Sequence, residues 1–205
     1  MDKHNVEQQS DEWFALRAKH PLTASNGTAI ATGGKGLDTL CWTATAERLS
    51  TGVVERYSGE HTDRGNELEP QARSLYELET GNKIEEVGFV TNDKVSKVGG
   101  CSPDGLVNED GNLEIKCPAD VKYLKMVADY KSTGKFEVEK GYMVQMQMQM
   151  LFAERTWTDY VVFNPNFSPS YLIQRIEVDD EIVKKLKVGL EVGEILLERI
   201  NNKLK

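Results

Sequence analysis

Helical spacing of apolar residues dominates the first 80 positions of the chain. Leu68 and Leu75 belong to an apolar series whose members recur three or four residues apart, and Gly81 follows it. That pattern predicts an amphipathic helix with its stop signal. In TASNGTAIATGG, the hydroxyls of Thr23 and Ser25 can accept hydrogen bonds from exposed backbone N–H groups, which predicts a further helix start. The predicted helices are 11–19, a helix beginning within 23–34, 37–51 with a stop at Gly52, and 63–80.

Downstream of the fourth helix, the pattern changes to the two-residue period of β-strands. In LEIKC, Leu113, Ile115 and Cys117 share one face of the predicted strand, whereas Glu114 and Lys116 share the other. Turn residues precede this segment, so we interpret it as the second strand of a hairpin. The predicted strands of this region cover 83–91, 95–101, 106–107 and 112–117.

The segment YMVQMQMQMLF is ambiguous, because alternation of Met and Gln indicates a strand whereas both residue types favour helices. Val144 is its one β-branched residue, so we interpret the segment as a helix. The order of elements predicts an α/β (α+β) fold in which a mixed sheet is covered by helices. The remaining predicted elements are a helix over 120–130, strands over 157–163 and 171–178, and a long C-terminal helix capped by Asp179 or Asp180.

Composition narrows the class of protein. A length of 205 residues with 39% hydrophobic and 28% charged residues suits a single domain with a sizeable core. The chain has no apolar run of membrane-spanning length, and its first residues, MDKHNVEQQSDEW, do not resemble a signal peptide. We therefore expect a cytoplasmic protein. The net charge of −8 argues against coating nucleic acid through an overall field, but it allows a local DNA-binding channel.

Three cysteines, Cys41, Cys101 and Cys117, are dispersed without a CxxC pair. Their number and spacing argue against a disulfide scaffold and a zinc ribbon. They also cannot supply the four ligands of a typical iron–sulfur cluster. We expect reduced thiols that pack as small apolar groups.

The stretch GGCSPDGLVNEDGNLEIKCP concentrates candidate catalytic side chains. Asp104 ends the preceding strand, and Glu114 and Lys116 lie on one face of the next strand. Two neighbouring carboxylates favour a hard divalent ion, and a lysine beside them can orient water and stabilise charge on a phosphate. That combination is suited to phosphodiester hydrolysis. The alternative is a solvated hairpin with ordinary surface charges, and the spacing alone leaves both interpretations open.

Together, SPDG and LEIKCP resemble the PD-(D/E)xK nuclease motif in the form found in phage lambda-type exonucleases, the YqaJ-like viral recombinase nucleases. The blocks DEWFALRAKHPLTAS, RGNELEPQARSLYELETG and KGYMVQMQMQM resemble further segments of that family and follow in the same order. The resemblance implies a PD-(D/E)xK restriction-endonuclease-like core with a central mixed sheet. It also implies one exonuclease domain over 1–205, with a helical part over 11–80, a sheet core over 83–178 and a C-terminal helix over 179–203.

A two-metal active site is also implied by the resemblance, with two Mg²⁺ ions or Mn²⁺ in their place. Lys116 would be the catalytic lysine beside the attacking water, and Gln145 would help to position that water or the scissile phosphate. From helix register alone, Glu67 competes with Glu69, and Gln147 and Gln149 compete with Gln145. The implied metal ligands are Asp104, Glu114, Glu69 and the backbone carbonyl of Ile115.

The resemblance further implies that Arg17, Ser25 and Ser102 form a pocket for a 5′-terminal phosphate. A guanidinium group and two hydroxyls are suitable partners for a phosphate dianion. If the family resemblance is set aside, the sequence indicates only that Arg17 is an ordinary surface charge of an amphipathic helix and that Ser25 is a helix cap.

The function implied is a Mg²⁺-dependent 5′→3′ exonuclease that degrades one strand of linear double-stranded DNA to 5′-mononucleotides. It would leave 3′ overhangs for recombination by single-strand annealing. A homotrimeric ring, a single-strand annealing protein as partner, and a phage or prophage origin in a bacterial host are implied as well. Two alternatives stay open: a structure-specific or restriction-type endonuclease of the same fold, and a DNA-end-binding module without catalysis.

Overall fold

A computed structural model of the chain describes residues 1–51 and 60–205. The predicted helix stop at Gly52 lies outside the described residues. None of the helices within those residues combines the length and apolar composition that crossing a membrane requires. The described helices are α1 (Asp11–Lys19), α2 (Gly27–Thr32), α3 (Gly34–Leu49), α4 (Glu60–Thr80), α5 (Asp120–Thr133), α6 (Lys140–Ala153) and α7 (Asp180–Lys203), and a 3-10 turn covers Ala24–Asn26.

The strands form two sheets. A four-stranded sheet has the order β1-β4-β5-β2, and a five-stranded sheet has the order β3-β6-β7-β8-β9. Both are mixed, because β2 pairs with β5 and β7 pairs with β8 in parallel, whereas the other pairs are antiparallel. The strands are β1 (Asp2–His4), β2 (Leu22–Thr23), β3 (Ile84–Glu85), β4 (Phe89–Asn92), β5 (Ser96–Cys101), β6 (Gly105–Val107), β7 (Gly111–Lys116), β8 (Trp157–Phe163) and β9 (Tyr171–Glu177).

The predicted strand over 83–91 is divided between the two sheets, and this division shapes the site described below. Its first half is β3 and its second half is β4, while the returning chain is divided into β5 and β6. The N-terminal segment passes so close to the break that a Cβ added at Gly88 would lie 1.9 Å from the carbonyl oxygen of Val6. The hairpin therefore bends, and the bend on the returning side contains Asp104.

Helix α6 confirms the helical interpretation of the Met/Gln segment. Met148 joins the core cluster under α7, whereas Met146 and Met150 join a second cluster between α5 and the strands β8 and β9. Because both clusters surround α6, its polar residues are enclosed as well, and Gln147 and Gln149 are fully buried. Buried amides require hydrogen-bond partners, and one of these amides finds them in the candidate site.

A close approach between α7 and α2 depends on Gly189. A Cβ added there would lie 1.9 Å from the backbone oxygen of Ile30. We expect Gly189→Ala to lower the free energy of unfolding by about 1–3 kcal/mol, since α7 must move away from the core. A Cβ added at Gly141 would lie 4.0 Å from its nearest neighbouring atom, so the control Gly141→Ala is expected to be neutral or slightly stabilising. Urea unfolding measures both, and equal stabilities would contradict the prediction.

Candidate active site

Strand β7 and the bend before β6 bring two carboxylates together. The backbone N–H of Asp104 donates to the carbonyl of Leu113 at 3.1 Å, and the Oδ2 atom of Asp104 accepts from the N–H of Ile115 at 2.6 Å. Glu114 lies between these two strand residues and is 0% exposed. The solvated-hairpin interpretation is therefore wrong for Glu114, because its face of the strand is buried beneath α6.

Three donors surround the buried Glu114 carboxylate. The Lys116 ammonium lies 2.5 Å from Oε1, and Nε2 of Gln145 donates to the same oxygen at 2.8 Å. The other oxygen, Oε2, accepts from Nε2 of Gln149 at 2.7 Å. A buried charge is tolerated only when it is paired and hydrogen-bonded, so these contacts explain how Glu114 remains in the core. The predicted Lys116 and Gln145 are thus placed at this carboxylate, and Gln149 is an additional contact.

Helix α4 supplies the third acid. Glu69 is partly buried, whereas Glu67 is exposed, so the structure places Glu69 towards the site and Glu67 towards solvent. Arg73 binds the Glu69 carboxylate at 2.5 Å, donates from Nε to the backbone carbonyl of Asp104 at 3.1 Å, and binds Glu86 at 2.5 Å. Arg73 therefore ties α4 to the bend that contains Asp104.

The electrostatics of the cluster reflect crowded carboxylates. Burial, reinforced by the Glu114 charge, raises the pKa of Asp104 well above its usual range. Burial also raises the pKa of Glu69, although Arg73 opposes this. Burial alone would lower the pKa of Lys116, but the Glu114 and Asp104 carboxylates outweigh it and raise the pKa, so the ammonium stays charged. A cation bound among the carboxylates of Asp104, Glu114 and Glu69 would relieve the repulsion between them.

The donor set fits a hard divalent ion. Oxygen ligands from Asp104, Glu114 and Glu69 are the type that Mg²⁺ and Mn²⁺ prefer. Within the part of the chain that the structure describes, no group of three or more His, Cys, Asp or Glu side chains is arranged so that it could hold a metal ion without rearrangement.

A second cluster joins the residues predicted to bind a 5′-phosphate. The guanidinium of Arg17 lies 4.5 Å from the ring centroid of Trp13, whose Nε1 donates to the Ser102 hydroxyl at 2.9 Å. Arg17 also donates to the hydroxyls of Ser25 at 3.2 Å and Thr23 at 3.3 Å. The three predicted residues are thus brought together, and Thr23 and Trp13 complete the group. Burial lowers the pKa of Arg17.

The capping role predicted for Thr23 and Ser25 is wrong. Neither the 3-10 turn at Ala24–Asn26 nor α2 has a side-chain hydrogen bond at its N-cap. The two hydroxyls are instead 3.1 Å apart and both lie beside Arg17. Their hydrogen-bonding capacity is used by the side chains of Arg17 and Asn26 rather than by the backbone.

Two cavities flank the carboxylates. One, of about 800 Å³, is lined by Ser10 and Gly88 near the Trp13 ring and by Glu69 and Asp104 in the acidic cluster. The other, of about 580 Å³, is lined by residues that include Lys116, Lys122 and Tyr142. The first cavity therefore offers space for a bound molecule beside Glu69 and Asp104, whereas Arg17, Ser25 and Ser102 do not line it.

A family model described as the YqaJ-like viral recombinase domain matches residues 12–156, a range that contains every predicted site residue. No protein with a curated description matches the sequence significantly.

Among solved structures, an alkaline exonuclease (LHK-Exo) from Laribacter hongkongensis is 33% identical, with a TM-score of 0.77 over 95% of this chain and 98% of that one. The same enzyme in complex with dAMP gives 31% identity and a TM-score of 0.76 over the same shares. A phage-related exonuclease from Haemophilus somnus 129PT is 16% identical, with a TM-score of 0.68 over 93% of this chain and 100% of that one, and shares the fold. The predicted family and fold class are confirmed.

Proposed function

The chain belongs to the YqaJ-like viral recombinase domain family, and we propose that it is a metal-dependent 5′→3′ exonuclease acting on the ends of linear double-stranded DNA. A general nuclease function follows from the family and from its exonuclease relatives. One observation carries the finer proposal. The cluster of Asp104, Glu114 and Lys116 lies close to a separate group of a guanidinium and hydroxyls, because Ser102 of that group is two residues before Asp104 in the same bend.

Asp104, Glu114, Glu69 and the Ile115 carbonyl would hold two Mg²⁺ ions, or Mn²⁺, which supply an activated water and neutralise charge on the scissile phosphate. The protein's own contribution is orientation. Lys116 is charged and fixed at 2.5 Å from Glu114, so its ammonium can orient the attacking water and stabilise developing negative charge. Gln145 is held on the same carboxylate oxygen and can orient the phosphate or the water.

Polarity would come from the Arg17 group. Arg17, Ser25 and Ser102 can hold a terminal 5′-phosphate, and every cleavage on its 3′ side leaves a new 5′-phosphate on the shortened strand. Successive steps would release 5′-mononucleotides and leave a 3′ single-stranded overhang. The relative solved with dAMP binds a deoxynucleoside monophosphate, the chemical class of that product.

The proposal extends to the assembly and setting of the protein. We propose residues 1–205 as one exonuclease domain, a homotrimeric ring around DNA, and a single-strand annealing protein that receives the overhang. These proposals rest on the lambda-type resemblance and on the viral recombinase family. They are consistent with a phage or prophage origin and with action in the cytoplasm of a bacterial host.

The test uses three forms of one DNA sequence with Mg²⁺: linear with 5′-phosphate ends, linear with 5′-hydroxyl ends, and covalently closed circular. We expect mononucleotide release from phosphorylated ends, at a rate about 10–100-fold higher than from hydroxyl ends, because charge-assisted contacts are worth about 1.5–3 kcal/mol. The closed circle should remain intact. Cleavage of the circle would support the endonuclease alternative, binding without cleavage would support the end-binding module, and equal rates at both ends would overturn the phosphate pocket.

A further inference from the structure

Gln149 contacts both clusters of the candidate site. Its side-chain Nε2 donates to Oε2 of Glu114 at 2.7 Å and to the backbone carbonyl of Ser102 at 3.4 Å. The hydroxyl of Ser102 in turn accepts from Trp13, which lies under Arg17. One amide group, with two hydrogens to donate, therefore connects a carboxylate of the acidic cluster to a residue of the phosphate pocket.

The contact to Glu114 fixes the orientation of the Gln149 amide. If the amide were turned over, its oxygen would face the Glu114 carboxylate, and two acceptors would repel each other. In the observed orientation, Oε1 of Gln149 is buried without a hydrogen-bond partner in the described part of the chain. An unsatisfied buried oxygen costs about 1–3 kcal/mol, so this glutamine is a poor choice for stability alone.

We propose that Gln149 is a positioning residue that couples occupation of the 5′-phosphate pocket to the placement of the Glu114 carboxylate. This inference rests on the proposed function. A phosphate bound at the Ser102 hydroxyl holds the Ser102 backbone, and the Gln149 amide transmits that restraint to Glu114. The terminal phosphate then acts on the cleavage step and on metal affinity, in addition to anchoring the DNA. Coupling of this kind is reciprocal, so it can be measured from the metal side.

Gln147 provides a matched control on the same helix. It is as fully buried as Gln149, and it makes two hydrogen bonds of its own, to the carbonyl of Glu177 and from the N–H of Asp179. Those contacts lie at the end of β9 and at the N-cap of α7, and they involve neither cluster. Gln147→Met therefore removes a buried amide without touching the proposed connection.

The experiment compares Gln149→Met with Gln147→Met and with the unmodified protein. Ca²⁺, used in place of Mg²⁺ to hold back cleavage, is titrated calorimetrically into protein bound to hairpin duplexes with a 5′-phosphate or a 5′-hydroxyl end. We expect the phosphate to tighten Ca²⁺ binding at least about fivefold in the unmodified protein and in Gln147→Met, as for a typical coupling. In Gln149→Met, the Ca²⁺ affinities measured with the 5′-phosphate and the 5′-hydroxyl duplexes should lie within about twofold of each other.

A kinetic measurement with Mg²⁺ completes the test. At saturating DNA, the ratio of rates on phosphorylated and hydroxyl ends should fall towards one in Gln149→Met and be retained in Gln147→Met. Gln149→Asn serves as a second variant, since its amide is one methylene too short to reach both partners and it should behave like Gln149→Met. Retained coupling in either Gln149 variant would overturn the inference while leaving the exonuclease proposal intact. Absence of any metal-dependent cleavage by the unmodified protein would overturn both.

Discussion

Replacing Asp104 by Asn is expected to abolish metal-dependent DNA degradation while making the metal-free protein more stable. Asn retains an oxygen that can accept the Ile115 N–H, which Asp104 binds at 2.6 Å, so the bend should persist. The variant loses the negative charge that would hold a divalent ion beside Glu114. We expect kcat to fall on the order of 10³-fold, the scale of a lost electrostatic contribution to phosphoryl chemistry.

The stability effect has the opposite sign because the pKa of Asp104 is raised, first by burial and then by Glu114. The folded state therefore binds more protons than the unfolded chain, and the stability of the metal-free protein falls as pH rises above about 3.9, the pKa of a free aspartate. Removing the charge removes that penalty. The melting temperature at neutral pH should rise by roughly 2–4 °C, which is the shift that a gain of about 1 kcal/mol in the free energy of unfolding produces in a protein of this size.

Thermal melting without Mg²⁺ measures the gain in stability, and melting with Mg²⁺ measures the loss of metal binding. Mg²⁺ should stabilise the unmodified protein, since a ligand of the folded state shifts the unfolding equilibrium, and it should not stabilise Asp104→Asn. Asp129→Asn, at an exposed position of α5, is the control and should change neither the activity nor the response to Mg²⁺. An Asp104→Asn variant that still degrades DNA with Mg²⁺ would show that the catalytic cluster has been misassigned.

Lys116→Met is expected to lower kcat by about 10²–10³-fold with little change in KM for DNA, because the ammonium acts on charge that develops during cleavage. Its pKa is raised by the neighbouring carboxylates, despite the opposing effect of burial, so Lys116 is a fixed cation rather than a base. Its ion pair with Glu114 should stabilise the fold fully up to about pH 10.4, the pKa of a free lysine, and lose that effect at higher pH.

Lys122 is the matched control for Lys116. Both ammonium groups lie near the ring of Tyr142, at 5.1 Å for Lys116 and 5.8 Å for Lys122, but Lys122 pairs with the exposed Glu139 rather than with the buried cluster. Lys122→Met should therefore retain kcat within a few-fold of the unmodified protein. Steady-state kinetics at saturating Mg²⁺ compare the two variants, and similar losses would indicate a general effect of positive charge on DNA binding.

Local sequence determined much of the secondary structure and the composition of the candidate site. Helix α1 and strand β8 have the bounds that periodicity predicts, 11–19 and 157–163. Strand alternation placed Glu114 and Lys116 on one face, and the two residues are in contact. These features follow from short-range geometry, since neighbours at spacings of two to four residues meet in any regular element.

Contacts between distant segments were decided by the tertiary structure. The division of 83–91 into β3 and β4 depends on the close approach of Val6 to Gly88, which no local pattern encodes. The contact of Arg73 with Asp104 forms only when α4 packs beside the bend, and the contact of Thr23 with Arg17 forms only when α1 packs beside β2. Gln149 lies one helical turn after Gln145, so the spacing offered a signal for it, but only packing brings both amides to Glu114.

The sequence by itself therefore predicted which side chains carry the proposed chemistry, and the tertiary structure decided how they are connected. Acid, acid and lysine occur at a spacing that a hairpin brings together, whatever surrounds it. Burial of Glu114 and the link from Glu114 to Ser102 through Gln149 require the enclosing helix α6, and the bend that contains Asp104 requires the N-terminal segment at Gly88. A carboxylate acquires its pKa and its partners from everything packed around it, and packing joins residues that are far apart in the chain.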